Sequence, residues 1–228
     1  MFGLSSAAIG TSTSAWTTRG RYVKGYGDKY IFYFHDPHSK KNIISGSKKK
    51  LADLQREITN LDGLRPNKLP PALSCRKLAF ADIDLVLQKR LKEIRHNKEV
   101  RALTHSDHAM VRKFLTSCST DDRDTLDLRL KEDKAFGVFL NGKLAGIARY
   151  TKIPRAPKIA DITVLVHRRH RGKGLSTPLV YELCKDILRR KLIPKYRVGE
   201  NHLASIAIAR RLGFKVSFYI YSFDFDRV

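Results

Sequence analysis

Cysteine is scarce in this 228-residue chain, with three copies at Cys75, Cys118 and Cys184. They are odd in number and far apart, and no CxxC pair or Cys/His cluster accompanies them. That excludes a disulfide framework, argues against a metal site and fits a reducing compartment. No apolar run approaches the ~18 residues a helix needs to cross a bilayer, which predicts no membrane contact and a cytoplasmic location. No GxxxxGK[ST] P-loop is present, and a lone close-set glycine pair does not make a dinucleotide GxGxxG fingerprint. Acid is short as well: 22 Asp+Glu stand against 45 Lys+Arg, a net charge of +23. The first 27 residues carry no acid at all, but do carry Arg19, Arg21 and many Ser/Thr. They read as a flexible arm, with a faint resemblance to an organelle transit peptide.

What is present begins with that charge. An excess this large exceeds what solubility requires and points to an anionic partner such as a nucleic acid or a phosphorylated ligand. It is spread along the chain, with 18 basic and 8 acidic residues in 1–97 and 27 and 14 in 98–228. The apolar fraction of 42% permits a sizeable core.

"KYIFYFHDPHSKKNIISG" predicts a hairpin over 29–35 and 42–45 around the turn Asp36–Ser39. Ser47 is placed to cap a short helix with Leu51, Leu54, Ile58 and Leu61 on one face. These elements form a small basic α+β module over 28–64. Three prolines in "RPNKLPP" make 65–79 a linker. The stripe Ile83, Val86, Leu87, Leu91 and Ile94 predicts a connecting helix over 80–97, with Asp82 and Asp84 at its start and Arg95 and His96 at its end. A second region, 98–228, opens with a strand at 99–103, a helix capped near Ser106 and another at 121–130. "AFGVFLNGKLAGIARY" is a hairpin turning at Asn141-Gly142. "KIADITVLVH" is a central strand, followed by a helix over 175–188, a strand at 195–198, a helix stopped by Gly213, and one or two terminal strands.

Between the central strand and its helix stands "HRRHRGKGLSTPL", residues 167–179. The first N–H groups of a helix lack internal partners and carry the positive end of its dipole. Glycines let a backbone approach an anion with no Cβ in the way. The stretch reads as a diphosphate cradle of backbone N–H groups, with Arg168, Arg169, Arg171 and Lys173 adding charge.

Arg169-His170-Arg171-Gly172-Lys173-Gly174 resembles the R/Q-x-x-G-x-G/A signature of the GNAT superfamily, the acetyl-CoA-dependent N-acetyltransferases. The element order over 99–226 is similar to that family's, as is the helix ending "ASIAIARRLGF". The resemblance implies an α/β (α+β) fold: a mixed, mostly antiparallel central sheet flanked by helices, here with a small basic N-terminal extension. It implies acetyl-CoA as co-substrate and no metal. The diphosphate would lie on the backbone of His170, Arg171, Gly172, Lys173, Gly174, Leu175 and Ser176, beside Arg169. The pantetheine arm would pair with backbone groups of Leu165, Val166 and His167.

The family reaction is direct attack of a neutral amine on the acetyl carbon, which needs a base for the amine proton and an acid for the leaving thiolate. By resemblance Asp161 is the base candidate, acting through a water; the alternative is a strand-edge Asp paired with a nearby Lys or Arg. His167 is a second base candidate, or a solvated strand-end residue. The helix position where many members carry a Tyr acid holds Ala209. The family's Asn falls on His202, with Asn201 reaching it only by a one-residue insertion. Ser205 matches a Ser variant, able to bind CoA or the sulfur, or simply to bond backbone. Tyr196 is a possible proton donor, or a packing residue.

Two function classes follow. One is an N-acetyltransferase acting on a primary amine of a macromolecular acceptor, a protein or an RNA. The other is a nucleic-acid-binding protein with a degenerate GNAT domain. For the second, the lysines of 39–41 and 48–50 would supply charge and Tyr30, Phe32, Tyr33 and Phe34 a stacking surface.

Overall fold

The structure, a computed structural model, describes residues 15–18, 30–58, 64–65, 68–69, 71–128, 134–153 and 156–224. Its contacts divide the chain into two compact units. The first comprises Met1–Leu85, Val198–Leu203 and Val216–Val228; the second comprises Val86–Arg197 and Ala204–Lys215.

The first unit is built on β1 (Ala15–Thr18), β2 (Tyr30–His35), β3 (Asn42–Gly46), β4 (Lys77–Val86) and β10 (Lys215–Asp224), in the order β1-β3-β2-β10-β4. The expected hairpin is present, with Phe32↔Ser45 through His35↔Asn42 in antiparallel register. The rest of the predicted arm, apart from Ala15–Thr18, lies outside the described residues; β1 itself pairs parallel with β3. β2 carries no polar alternation because both of its faces are covered. Ile31 and Tyr33 join Ile44, Leu51, Leu54 and Leu73 in one cluster, while Phe32 and Phe34 join Ile43, Phe218 and Ile220 in another. Asn42, fully buried, accepts at Oδ1 from the Tyr33 hydroxyl at 2.8 Å and meets His35 Nδ1 at 2.8 Å. Ser47 caps α1 (Lys48–Glu57) as expected, accepting from Lys50 N at 3.5 Å; Leu61 lies outside the described residues.

Two expectations change here. The proline-rich stretch contains α2 (Pro71–Ser74), because a proline is tolerated in a helix's first turn, where its missing N–H has no partner to lose. The connecting helix over 80–97 is absent. Residues 77–86 form strand β4, and 87–98 run on as an irregular strap. The buried apolar residues Ile83, Leu85 and Leu87 follow a period of two, so the strand pairing overrides the helical stripe.

In the second unit the order is β9 (Ile193–Gly199), β8 (Ala156–Val166), β7 (Lys143–Ile153), β6 (Lys134–Leu140), β5 (Glu99–Ala102). All neighbours are antiparallel except β8 and β9. β6 and β7 turn through Asn141 (φ 49°) and Gly142 (φ 70°), the paired positive φ values of the predicted hairpin. α3 (His108–Thr116) and α4 (Thr120–Leu126) cover one face, where Val111, Phe114 and Leu126 pack on Ile147 and Leu165. α5 (Ser176–Arg189) packs over β6, β7 and β8, burying Leu179, Val180, Leu183, Cys184 and Ile187. α6 (Leu203–Leu212) is followed by Gly213 at φ 97°.

Candidate active site

The strand pleat sorts the side chains. On β8, Leu165 faces α3 and α4, so Asp161 and Thr163 share that face. Ile162 and its β9 register partner Tyr196 lie on the opposite face, where Tyr196 comes near Cys184 of α5.

β8 and β9 pair in parallel from Ile159↔Ile193 to Ile162↔Tyr196, while β8 continues against β7 as far as Gly146↔Val166. His167 N donates to Ala145 O at 3.0 Å. In an antiparallel ladder the residues bonding to one neighbour alternate. Leu165 and His167 therefore spend their backbone groups on β7, and those of Val164 and Val166 point to the side where β9 has stopped pairing. Of the three residues the sequence assigns to the pantetheine arm, only Val166 faces that edge. Val164, absent from the assignment, faces it too; only the register reveals this.

At the end of β8 a 3-10 turn, Arg168–His170, leads into the glycine loop. Gly172 (φ 79°) and Gly174 (φ 69°) both occupy the left-handed region, and a Cβ added at either would meet no atom within 4 Å. The loop thus leaves open space over its backbone, as a cradle for an anion requires. α5 begins at Ser176 with no side-chain cap from Leu175 and no acid in its first turn. Pro178 lacks an N–H, so the N–H groups of Gly174 to Thr177 form the uncapped positive end. Arg168, Arg169 and Lys173 are exposed around it. His170 is held below the usual imidazole value, first by loss of solvent and then by Lys173, His167 and Arg169; its Nδ1 is buried without a hydrogen-bond partner.

Two loop residues are engaged elsewhere. Arg171 donates to both carboxylate oxygens of Asp122 at 2.8 Å and, through Nε, to Val166 O at 3.1 Å. It ties the loop to α4. His167 lies against Ser117 O through Nε2 at 3.2 Å and accepts from Arg169 N at Nδ1 at 3.3 Å. A carbonyl accepts only, so these partners assign the proton to Nε2 and occupy the Nδ1 lone pair. With both nitrogens in use, His167 serves as a brace between α3 and the loop, and the geometry gives it no base role.

Asp161 faces Lys195 across the β8–β9 pairing, with Lys195 Nζ 3.0 Å from Oδ1 and Lys195 itself buried. The paired strand-edge Asp is thus the arrangement present. Tyr196 is buried on the other face, and Ser205 of α6 donates to its phenol oxygen. Burial pushes the Tyr196 hydroxyl up to about 12, with the Ser205 hydrogen bond opposing and Cys184 adding to the rise. Ala209 is fully buried in α6. Asn201 and His202 are exposed in the turn before α6, where His202 N donates to Gly199 O at 2.9 Å. No cluster able to hold a metal ion occurs among the described residues. No helix among them is long and apolar enough to cross a membrane.

Residues 100–214 match the family model of the acetyltransferase (GNAT) family. No curated protein sequence matches the chain. Among solved structures, one similar to it is a GNAT-family acetyltransferase from Novosphingobium aromaticivorans. It is 16% identical with a TM-score of 0.53, over 79% of this chain and 81% of that one. Another, from Colwellia psychrerythraea, is 15% identical with a TM-score of 0.52, over 65% of this chain and 57% of that one. These likenesses concern the fold; the family match spans half of the chain and includes the glycine loop and the parted strands. The chain belongs to the GNAT family of acetyltransferases, enzymes that use acetyl-CoA as co-substrate.

Proposed function

We propose that the chain transfers an acetyl group from acetyl-CoA to a primary amine carried on a macromolecule, a protein or an RNA. The observation that carries the reading is the uncapped start of α5 behind two left-handed glycines, placed at the end of the strand from which β9 parts. Gly172 to Ser176 would hold the diphosphate on backbone N–H groups, with Arg168, Arg169 and Lys173 adding charge. Val164 and Val166 would pair with the pantetheine arm. Acetyl-CoA supplies an activated thioester carbonyl.

Asp161 and Tyr196 then lie on opposite faces of the strand pair at the last paired register positions. The amine nitrogen forms a bond to the acetyl carbon as the C–S bond breaks. Asp161, paired with Lys195 at 3.0 Å, takes the amine proton through a water. The Tyr196 hydroxyl, oriented by Ser205, donates a hydrogen bond to the departing sulfur. A chain of net charge +23 repels small polycations, which favours an acceptor amine on a larger molecule.

Calorimetric titration of acetyl-CoA into the folded chain tests the reading. Micromolar binding that a Gly172→Asp/Gly174→Asp variant loses is the expected result. Absence of binding to the wild-type protein overturns the enzyme reading. The buried Ala209, in place of the helix tyrosine of many members, favours a second reading in which the cofactor binds without turnover. Acetyl transfer to a generic amine separates the two.

A further inference from the structure

Of the aromatics that sequence offered as a nucleic-acid platform, Phe32, Tyr33 and Phe34 are core, 5% exposed or less, and Tyr30 is half-buried. A different cationic surface emerges in the second unit. The strap 87–98, read from sequence as a helix, carries Lys89, Arg90, Lys92, Arg95 and Lys98 against a single acid, Glu93. It is fastened at one point to the end of α6, where Lys92 N donates to Leu212 O at 3.0 Å. A Cβ on Gly213 would lie 3.2 Å from both Arg90 O and Lys92 Cγ. Farther along, His96 meets Tyr181 of α5 edge-on at 6.2 Å and Glu182 at 3.4 Å. The strap therefore runs past the end of α6 and along α5, with Leu87 and Leu91 buried and Lys89, Arg90, Lys92 and Arg95 exposed. The last turn of α6 and the start of β10 add Arg210, Arg211 and Lys215, with no acid between residues 203 and 215.

Elsewhere in this unit several cations are matched to carboxylates: Arg101 to Asp107, Arg171 to Asp122, Arg190 to Asp186 and Lys195 to Asp161. On this surface only Arg90 is matched, to Glu93 at 2.8 Å. Lys89, Lys92, Arg95, Arg210, Arg211 and Lys215 are exposed and make no ion pair among the described residues. Neighbouring cations left without local acids repel one another, and a polyanion removes that repulsion while releasing its own counterions.

We propose that the strap and the end of α6 form a docking surface for the phosphate backbone of a double-stranded nucleic acid. The surface carries no exposed Phe, Tyr or Trp, since Phe214 is buried; stacking of unpaired bases has nothing to rest on, and regularly spaced phosphates are the ligand. From Lys89 to Arg95 an extended chain reaches at most about 21 Å, which limits the contact to roughly six phosphates of one strand. None of the surface cations belongs to the glycine loop, so duplex binding does not depend on acetyl transfer.

The test is fluorescence anisotropy with 20-base-pair RNA and DNA duplexes of one sequence, titrated with the full chain between 50 and 200 mM salt. Binding is expected with a log–log salt slope between about −3 and −5. A Lys92→Glu/Arg210→Glu/Arg211→Glu variant should weaken it at least tenfold while melting within about 2 °C of wild type. The milder Lys92→Gln/Arg210→Gln/Arg211→Gln variant should give an intermediate loss. Equal binding of both duplexes identifies the phosphate backbone alone, and preference for RNA identifies A-form RNA as the source. Lack of binding at 50 mM salt overturns the proposal, as does unchanged affinity in both variants. Displacement of the duplex by polyglutamate at equal charge also overturns it, in favour of an acidic protein partner.

Discussion

Replacing Tyr196 by phenylalanine removes one oxygen from a buried position and leaves the ring in place. The phenol is pushed up to about 12 by burial, whereas an ordinary thiol titrates near ~8.5. Handing the phenolic proton to a departing thiolate is thus uphill by three to four pH units, about 5 kcal/mol. That cost argues against complete proton transfer and for a hydrogen bond to the developing negative sulfur. A hydrogen bond to a charged group contributes about 1.5–3 kcal/mol. Tyr196→Phe should therefore lower kcat by about 10- to 150-fold, less than the loss of an outright proton donor, which reaches about 10⁴-fold. Its KM for acetyl-CoA should stay within about twofold, because the hydroxyl acts where charge develops. The lost Ser205 bond should lower Tm by about 2–4 °C for a chain of this size. Ser205→Ala removes only the group that orients the phenol and should lower kcat about 2- to 10-fold. Steady-state kinetics with acetyl-CoA and a peptide or alkyl amine, read by thiol release, measures all three. A kcat within twofold of wild type in Tyr196→Phe would refute a role for the phenol at the sulfur. A loss beyond 10⁴-fold with unchanged stability would refute the hydrogen-bond limit worked out above.

Asp161→Asn removes the carboxylate 3.0 Å from the buried Lys195 and should cost up to about 3 kcal/mol, seen as a lower denaturation midpoint. It should also flatten the acid limb of the pH–rate profile; an unchanged limb removes Asp161 as the base. His167→Ala should raise the KM for acetyl-CoA several-fold without moving the pH–rate profile, since the ring braces Ser117 and Arg169 and is not a base. The Asp107 carboxyl is held well below its ordinary value, first by the Arg101 hydrogen bonds at 2.7 and 2.9 Å and then, against the cost of burial, by Thr104. As pH falls the unfolded chain takes up that proton first, so this stabilisation is full above about pH 5 and lost from about pH 4 downward. Chemical denaturation at pH 7 and pH 3 should show a smaller pH dependence in Asp107→Asn than in wild type.

Local signals were legible where the chain answers to itself. The Asn141-Gly142 turn needs two positive φ values, and the residue types that tolerate them announce it. The glycine loop and the helix behind it are likewise a short-range pattern, with the N–H groups of the proposed anion site all on the backbone of the same dozen residues. Strand β4 was not legible, because what makes 77–86 a strand is its position beside β10, which is contributed by the far end of the sequence. Ile83, Leu85 and Leu87 satisfy a strand, while Ile83, Leu87, Leu91 and Ile94 satisfy a helix. Only the neighbour decides, and it lies more than a hundred residues away.

The same distance explains which loop cations the sequence misassigns. Arg171 looks like part of the diphosphate charge and His167 like a base, yet their partners, Asp122 and Ser117, are 49 and 50 residues distant. Once those bonds are made, Arg171 is already neutralised and His167 has no free nitrogen. The proposed anion site then rests on the backbone N–H groups of Gly172 to Ser176 and on Arg168, Arg169 and Lys173, fewer cations than the motif contains. Arg171 has become a link between the loop and α4, and its Nε occupies the Val166 carbonyl at the edge where the pantetheine arm would pair. An arm that pairs with Val166 O competes with Arg171 for that oxygen. If it displaces Nε, the Asp122 bonds still hold the guanidinium beside the loop. Arg171→Lys keeps the charge but cannot bond Asp122 and Val166 together. It should loosen α4 toward faster hydrogen exchange at Thr120–Leu126 while acetyl-CoA affinity changes less than threefold; a tenfold loss of affinity would return Arg171 to the diphosphate.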